Sequence, residues 1–129
     1  KKVLFVCVEN ACRSQMAEAF LNRFSSGKAL AISAGTKPAR QVNPKAVQVM
    51  KELGIDMSRQ KPKLLTSEVM KGVDKVVTMG CGASVCPAPY VRAEEWNIED
   101  PSGKSIDKYR EVRDIIKVKV EELIKEISR

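Results

Sequence analysis

The sequence predicts an open, mostly parallel α/β sheet of four strands flanked by helices. Three observations carry this. "KVLFVCV" (2–8) is a near-continuous apolar run, the pattern of a parallel strand buried on both faces. Strand-like and helix-like segments then alternate along the chain, as such a sheet requires. The chain closes on a long apolar stripe at helical spacing.

After the first strand comes a short loop. Met16, Phe20 and Phe24 then recur every four residues beside Ala17 and Leu21, which predicts an amphipathic helix ending near Gly27. "ALAIS" (29–33) reads as the second strand and "AGTKPARQV" as the loop after it. In "NPKAVQVMKELG", Asn43 supplies an N-cap, Pro44 the first helical position and Gly54 a stop. A short helix is expected over Thr66 to Lys71, a third strand over "DKVVTM" (74–79) and a short fourth within "VRAEEWNI" (91–98). Tyr109, Val112, Ile116, Val120, Leu123 and Ile127 stripe the last helix, whose alternating charges read as its solvated face. With 129 residues, no repeat and no linker, the expectation is one domain over 1–129.

Composition narrows the function. The chain is 43% hydrophobic and 30% charged, ordinary for a globular protein. The apolar run from Val3 to Val8 is too short to span a membrane or act as a signal peptide, so the expected location is the cytoplasm, with no membrane partner. The net charge of +7 favours anionic substrates. Nucleic acid is not the expected partner, because the basic residues are scattered and aromatics make up only 5%. Nothing marks an interface, and a monomer is expected. Histidine is absent, which excludes Cys-His and Ser-His catalysis and any histidine-bearing metal site. The four cysteines, Cys7, Cys12, Cys81 and Cys86, fit catalysis, redox exchange or metal binding in such a chain better than a structural disulfide framework.

The chemistry concentrates in "CVENACRS" (7–14), where the first strand gives way to the first helix. Ligands bind outside the carboxyl ends of parallel strands. A strand-to-helix turn gathers backbone N–H groups, and the helix dipole adds positive potential. Cys7 and Arg13 are separated by five residues, and Arg13 can offer an oxyanion a bidentate fork. In that field the Cys7 thiol is expected to be a nucleophile at neutral pH. Ser14 can donate a hydrogen bond to its sulfur, and Asn10 can hold the loop by side-chain to backbone bonds. Taken alone, Cys7 equally suits a small buried hydrophobe; Arg13, Ser14 and the helix start favour the nucleophile. Val8, Glu9, Asn10, Ala11, Cys12, Arg13 and Ser14 are thus the expected oxyanion-binding residues.

"VCVENACRSQMAEAF" resembles the phosphate-binding loop and first helix of the low-molecular-weight protein tyrosine phosphatase family, including the arsenate reductases built on that fold. The likeness continues through "SAG" (33–35), "NPKA" and "KVVTM". It implies a nucleophilic Cys7, an oxyanion-binding Arg13 and a general acid at Asp100, which precedes Pro101 as in the family's Asp-Pro. Without the resemblance, Asp100 would read as a turn residue.

Phosphatase and reductase chemistry begin with the same attack, and the reductase needs further thiols. "TMGCGASVCP" supplies two: Cys81 can attack Cys7, and Cys86 can then attack Cys81 and pass the disulfide to an external thioredoxin-like dithiol. Each exchange requires Cα atoms roughly 4.4–6.8 Å apart, so the loop has to move. Related phosphatases carry aromatic residues after their Asp-Pro, whereas Ser102, Gly103 and Lys104 follow here, suiting a small inorganic anion. The favoured expectation is arsenate reduction without a bound cofactor or metal, with phosphate or sulfate as competing anions. Phosphotyrosine hydrolysis is the alternative, and a four-cysteine zinc or thiol-binding module the third reading. Cys12 is read as a third relay thiol, as a guard for Cys7 under oxidation or as packing, and Trp96 as packing.

Overall fold

In the computed structural model, which describes residues 1–79 and 93–127, strands and helices follow one another as β1 (Lys2–Cys7), α1 (Arg13–Phe24), β2 (Leu30–Gly35), α2 (Pro44–Lys51), β3 (Lys75–Thr78), β4 (Ala93–Glu95) and α3 (Ile106–Ile127). The four strands form one sheet in the order β2-β1-β3-β4, and every neighbouring pair is parallel. The register places Cys7 opposite Gly35 on β2 and Val6 opposite Thr78 on β3.

The apolar run at the start is explained by the sheet's two faces. Val3, Phe5 and Cys7 join the larger core with Met16, Phe20 and Leu21 of α1, Val49 and Met50 of α2 and the stripe of α3. Leu4 and Val6 point the other way, into a smaller cluster with Ala34, Val73 and Val76. The α3 stripe is buried as expected at Tyr109, Val112, Ile116, Val120 and Leu123. Asn43 caps α2 by accepting from Lys45 N at 2.9 Å, with Pro44 at the first helical position. Trp96 packs against Phe5 with ring centroids 5.6 Å apart.

One element differs from expectation. The segment Thr66–Lys71 forms hydrogen-bonded turns rather than a helix. Met70 N reaches Thr66 O at 3.2 Å, but Lys71 and Val73 close tighter bonds to Glu68 and Met70, and Gly72 turns out at φ 75°. Leu65, Val69 and Met70 nevertheless cover the smaller cluster, so helices line one face of the sheet and turns the other. Cys81 and Cys86 lie outside the described residues. Among the described residues, no helix is long and apolar enough to cross a membrane.

In this strand order, the chain moves from β1 outward to β2 and then crosses back to β3. The switch point lies between β1 and β3, at whose carboxyl ends parallel sheets bind ligands. Cys7 is the last residue of β1.

Candidate functional site: an oxyanion cleft around Cys7

The loop leaving β1 is tied down along its length. Lys37 N donates to Val8 O at 2.8 Å, Ala39 N to Glu9 O at 2.9 Å and Asn43 N to Ala11 O at 2.8 Å. Its tightest point is Asn10, a left-handed residue with φ 52°. Gly35 allows this close approach: a Cβ there would meet Val8 O at 2.6 Å and Asn10 N at 2.9 Å. Helix α1 then begins at Arg13, with Met16 N donating to Cys12 O at 2.9 Å. The N–H groups ahead of Met16 in that turn have no helical carbonyl to reach.

The loop encloses a cleft of about 350 Å³ lined by Cys7, Val8, Glu9, Ala11, Cys12, Arg13, Asn43, Asp100 and Ser102. The nucleophile, clamp and acid expected from the sequence thus face one space. Arg13 is only 8% exposed. Its Nη1 donates to Ile98 O at 3.0 Å, and its Nη2 lies 3.6 Å from Asp100 Oδ2. Asp100, with half its side chain exposed, also accepts from Ser102 N at 3.0 Å, which shapes the Asp-Pro turn. Asn10 and Ser14 stand behind the cleft rather than lining it, and both are fully buried. Ser14 Oγ lies 2.8 Å from Cys7 Sγ and accepts from Asn10 Nδ2 at 2.7 Å.

Both described cysteines carry free, buried thiols, and their surroundings differ. Burial pushes the Cys12 thiol well above the usual cysteine range; the negative charge of Asp100 and of Cys7 adds to the rise, and Arg13 opposes it. Cys12 therefore stays a protonated thiol beside Cys7.

Several contributors were not evident from the sequence. Asn43, whose sequence signal is that of a helix cap, also lines the cleft and donates through Nδ2 to Tyr109 Oη at 2.8 Å. The Ile98 carbonyl that holds Arg13 carries no sequence signal. Among the described residues, no three His, Cys, Asp or Glu side chains gather to hold a metal.

The family model for low molecular weight phosphotyrosine protein phosphatase matches residues 2–129. The chain belongs to that family. Within it, this phosphatase-family chain is similar to a glutaredoxin arsenate reductase from Synechocystis, at 40% identity over 99% of each chain. Among solved structures it is similar to an arsenate reductase in a phosphate-binding state, with a TM-score of 0.90, 40% identity and 98% of each chain covered. It also resembles a thioredoxin-dependent arsenate reductase from Corynebacterium glutamicum, with a TM-score of 0.84 and 35% identity, covering 98% of this chain and 61% of that one. The expected fold class stands, with the sheet wholly parallel.

Proposed function

We propose that the protein reduces arsenate to arsenite, using Cys7 as nucleophile and a dithiol relay through Cys81 and Cys86. The supporting observation is the neighbourhood of Cys7. Met79 N donates to Val6 O at 2.8 Å, so the chain leaves β3 beside the reacting strand end only two residues before Cys81.

The Cys7 thiolate attacks arsenic, forming an S–As bond. Asp100 gives its proton to the departing oxygen, which leaves as water. Arg13 holds the remaining oxygens. Cys81 then attacks the Cys7 sulfur. The S–As electron pair stays on arsenic, which departs as arsenite, and a Cys7–Cys81 disulfide remains. Attack by Cys86 on Cys81 frees Cys7 and moves the disulfide to Cys81–Cys86, where an external dithiol of the thioredoxin or glutaredoxin class reduces it. The two electrons gained by arsenic equal those lost by one thiol pair.

Phosphotyrosine hydrolysis would share the first step. Among the described cleft residues none is aromatic, however, and Ser102 and Asn43 offer no face for a phenyl ring. Turnover of arsenate with a thioredoxin system by the Cys81→Ser variant tests the reading. Multiple turnover should disappear while slow aryl-phosphate hydrolysis persists; unchanged arsenate turnover would contradict the relay.

A further inference from the structure

Behind the cleft, a chain of amides runs from half-buried Gln60 through buried Gln15 and Asn10 toward Cys7. Gln60 Nε2 donates to Gln15 Oε1 at 2.7 Å and to Gln15 O at 3.0 Å. Gln15 Nε2 faces three acceptors: Asn10 O at 2.9 Å, Asn10 Oδ1 at 3.0 Å and Lys61 O at 3.0 Å. Asn10 Oδ1 also accepts from Lys63 N at 2.8 Å. Asn10 Nδ2 donates to Ser14 Oγ, which touches Cys7 Sγ. Asn10, Ser14 and Gln15 have no exposed surface.

The orientation of each amide follows from backbone groups that cannot reverse. Lys63 N–H is a fixed donor, so the oxygen of the Asn10 amide must face it. The carbonyls of Asn10 and Lys61 are fixed acceptors, so the nitrogen of Gln15 must face them. The Gln15 oxygen is then left for Gln60. With Asn10 Nδ2 turned to Ser14, the serine oxygen accepts from the amide and its own O–H stays available to Cys7 sulfur, 2.8 Å away. A reversed Asn10 amide would set its nitrogen against two donors and offer Ser14 a competing acceptor.

We propose that Gln15 and Gln60 are positioning residues for the nucleophile: they lock the Asn10 amide in the orientation that commits the Ser14 proton to Cys7. This rests on Cys7 being the reacting thiol. Neither glutamine lines the cleft, so both act through Asn10 and Ser14. Charge develops on sulfur while the donor is already in place, which favours the thiolate and ties nucleophilicity to a residue 45 positions from α1's first turn.

The test is the pH profile of Cys7 alkylation by iodoacetamide, read by peptide mass mapping in folded variants. Gln15→Met should slow alkylation about fivefold on the acidic limb, as expected for one lost hydrogen bond, and leave the alkaline plateau unchanged. Gln60→Met should slow the same limb by less. Adding Gln15→Met to Ser14→Ala should change nothing further, because the donor it orients is gone. Equal slowing at every pH, no slowing, or full additivity with Ser14→Ala would each overturn the proposal. Should Gln15→Met fail to fold, Gln60→Met, at the half-buried end of the chain, decides. Alkylation needs no arsenate, so its outcome is independent of whether the protein reduces arsenate.

Discussion

Arg13 and Asp100 face each other across the cleft at 3.6 Å, one almost wholly buried and the other half exposed. The guanidinium also donates through Nη1 to the Ile98 carbonyl at 3.0 Å. The half-exposed carboxylate lines the same cleft as Cys7 and Arg13. On the proposed mechanism Arg13 attracts a bound anion, whereas an ionised Asp100 repels it.

Replacing Asp100 by Asn separates these roles. Turnover should fall by about 10²–10⁴-fold, the ordinary contribution of a positioned general acid. Phosphate binding should hold or tighten, because a negative charge lining the cleft is gone. Steady-state rates with calorimetric titration of phosphate check both; weakened phosphate binding would assign Asp100 to anion holding instead.

The two thiols of the loop should label differently. Cys7 and Cys12 are nearly equally buried, at 3% and 7% exposure, so access does not distinguish them. The Cys12 thiol is held protonated by burial and by the charge of Asp100. Peptide mass mapping after limited iodoacetamide treatment at neutral pH should therefore find the label on Cys7 and not on Cys12.

Gly35→Ala probes the packing that bends the loop. The added methyl would press on the Val8 carbonyl, held by Lys37 N, and on the backbone of Asn10, whose carbonyl is held by Gln15, so neither yields cheaply. Overpacking of this kind costs about 1–3 kcal/mol. Thermal unfolding should show that loss, and Cys7 alkylation should slow as Asn10 is displaced.

Glu18 makes stability depend on pH in a definite direction. Burial raises its carboxyl above the ordinary 4.5, partly offset by Lys63 at 3.8 Å and by Ser33, which donates at 2.9 Å. The native state then holds this proton more tightly than the unfolded chain. Its contribution is fully present below 4.5 and is lost as pH rises through the raised native value. Glu18→Gln retains an acceptor for Ser33 and has no such titration. Denaturant unfolding across this window should show a decline in the parent that the variant lacks.

Much of this was legible in the sequence because local patterns and tertiary burial agree. The run at Val3–Cys7 is apolar on both faces because both faces are covered, and Asn43-Pro44 caps α2 because cap chemistry is local. Cys7, Arg13 and Ser14 were readable for the same reason: a strand end, a turn and a helix start bring them together within eight residues. Asp100 required the family's Asp-Pro. The Thr66–Lys71 segment folds as turns rather than the expected helix because its polar residues favour turns as readily as a helix, and Gly72 ends the segment. Gln15 reads as an ordinary polar helix residue, and its partners at Gln60, Lys61 and Lys63 meet it only through the fold.

The most direct measurement is the disulfide state of the chain after reaction with limiting arsenate and no external reductant. Mass mapping should find a Cys81–Cys86 disulfide and free Cys7, with about one arsenite released per disulfide formed, as two-electron exchange requires. Arsenate or aryl-phosphate processing without any arsenate-dependent disulfide would contradict the reductase and leave a phosphatase.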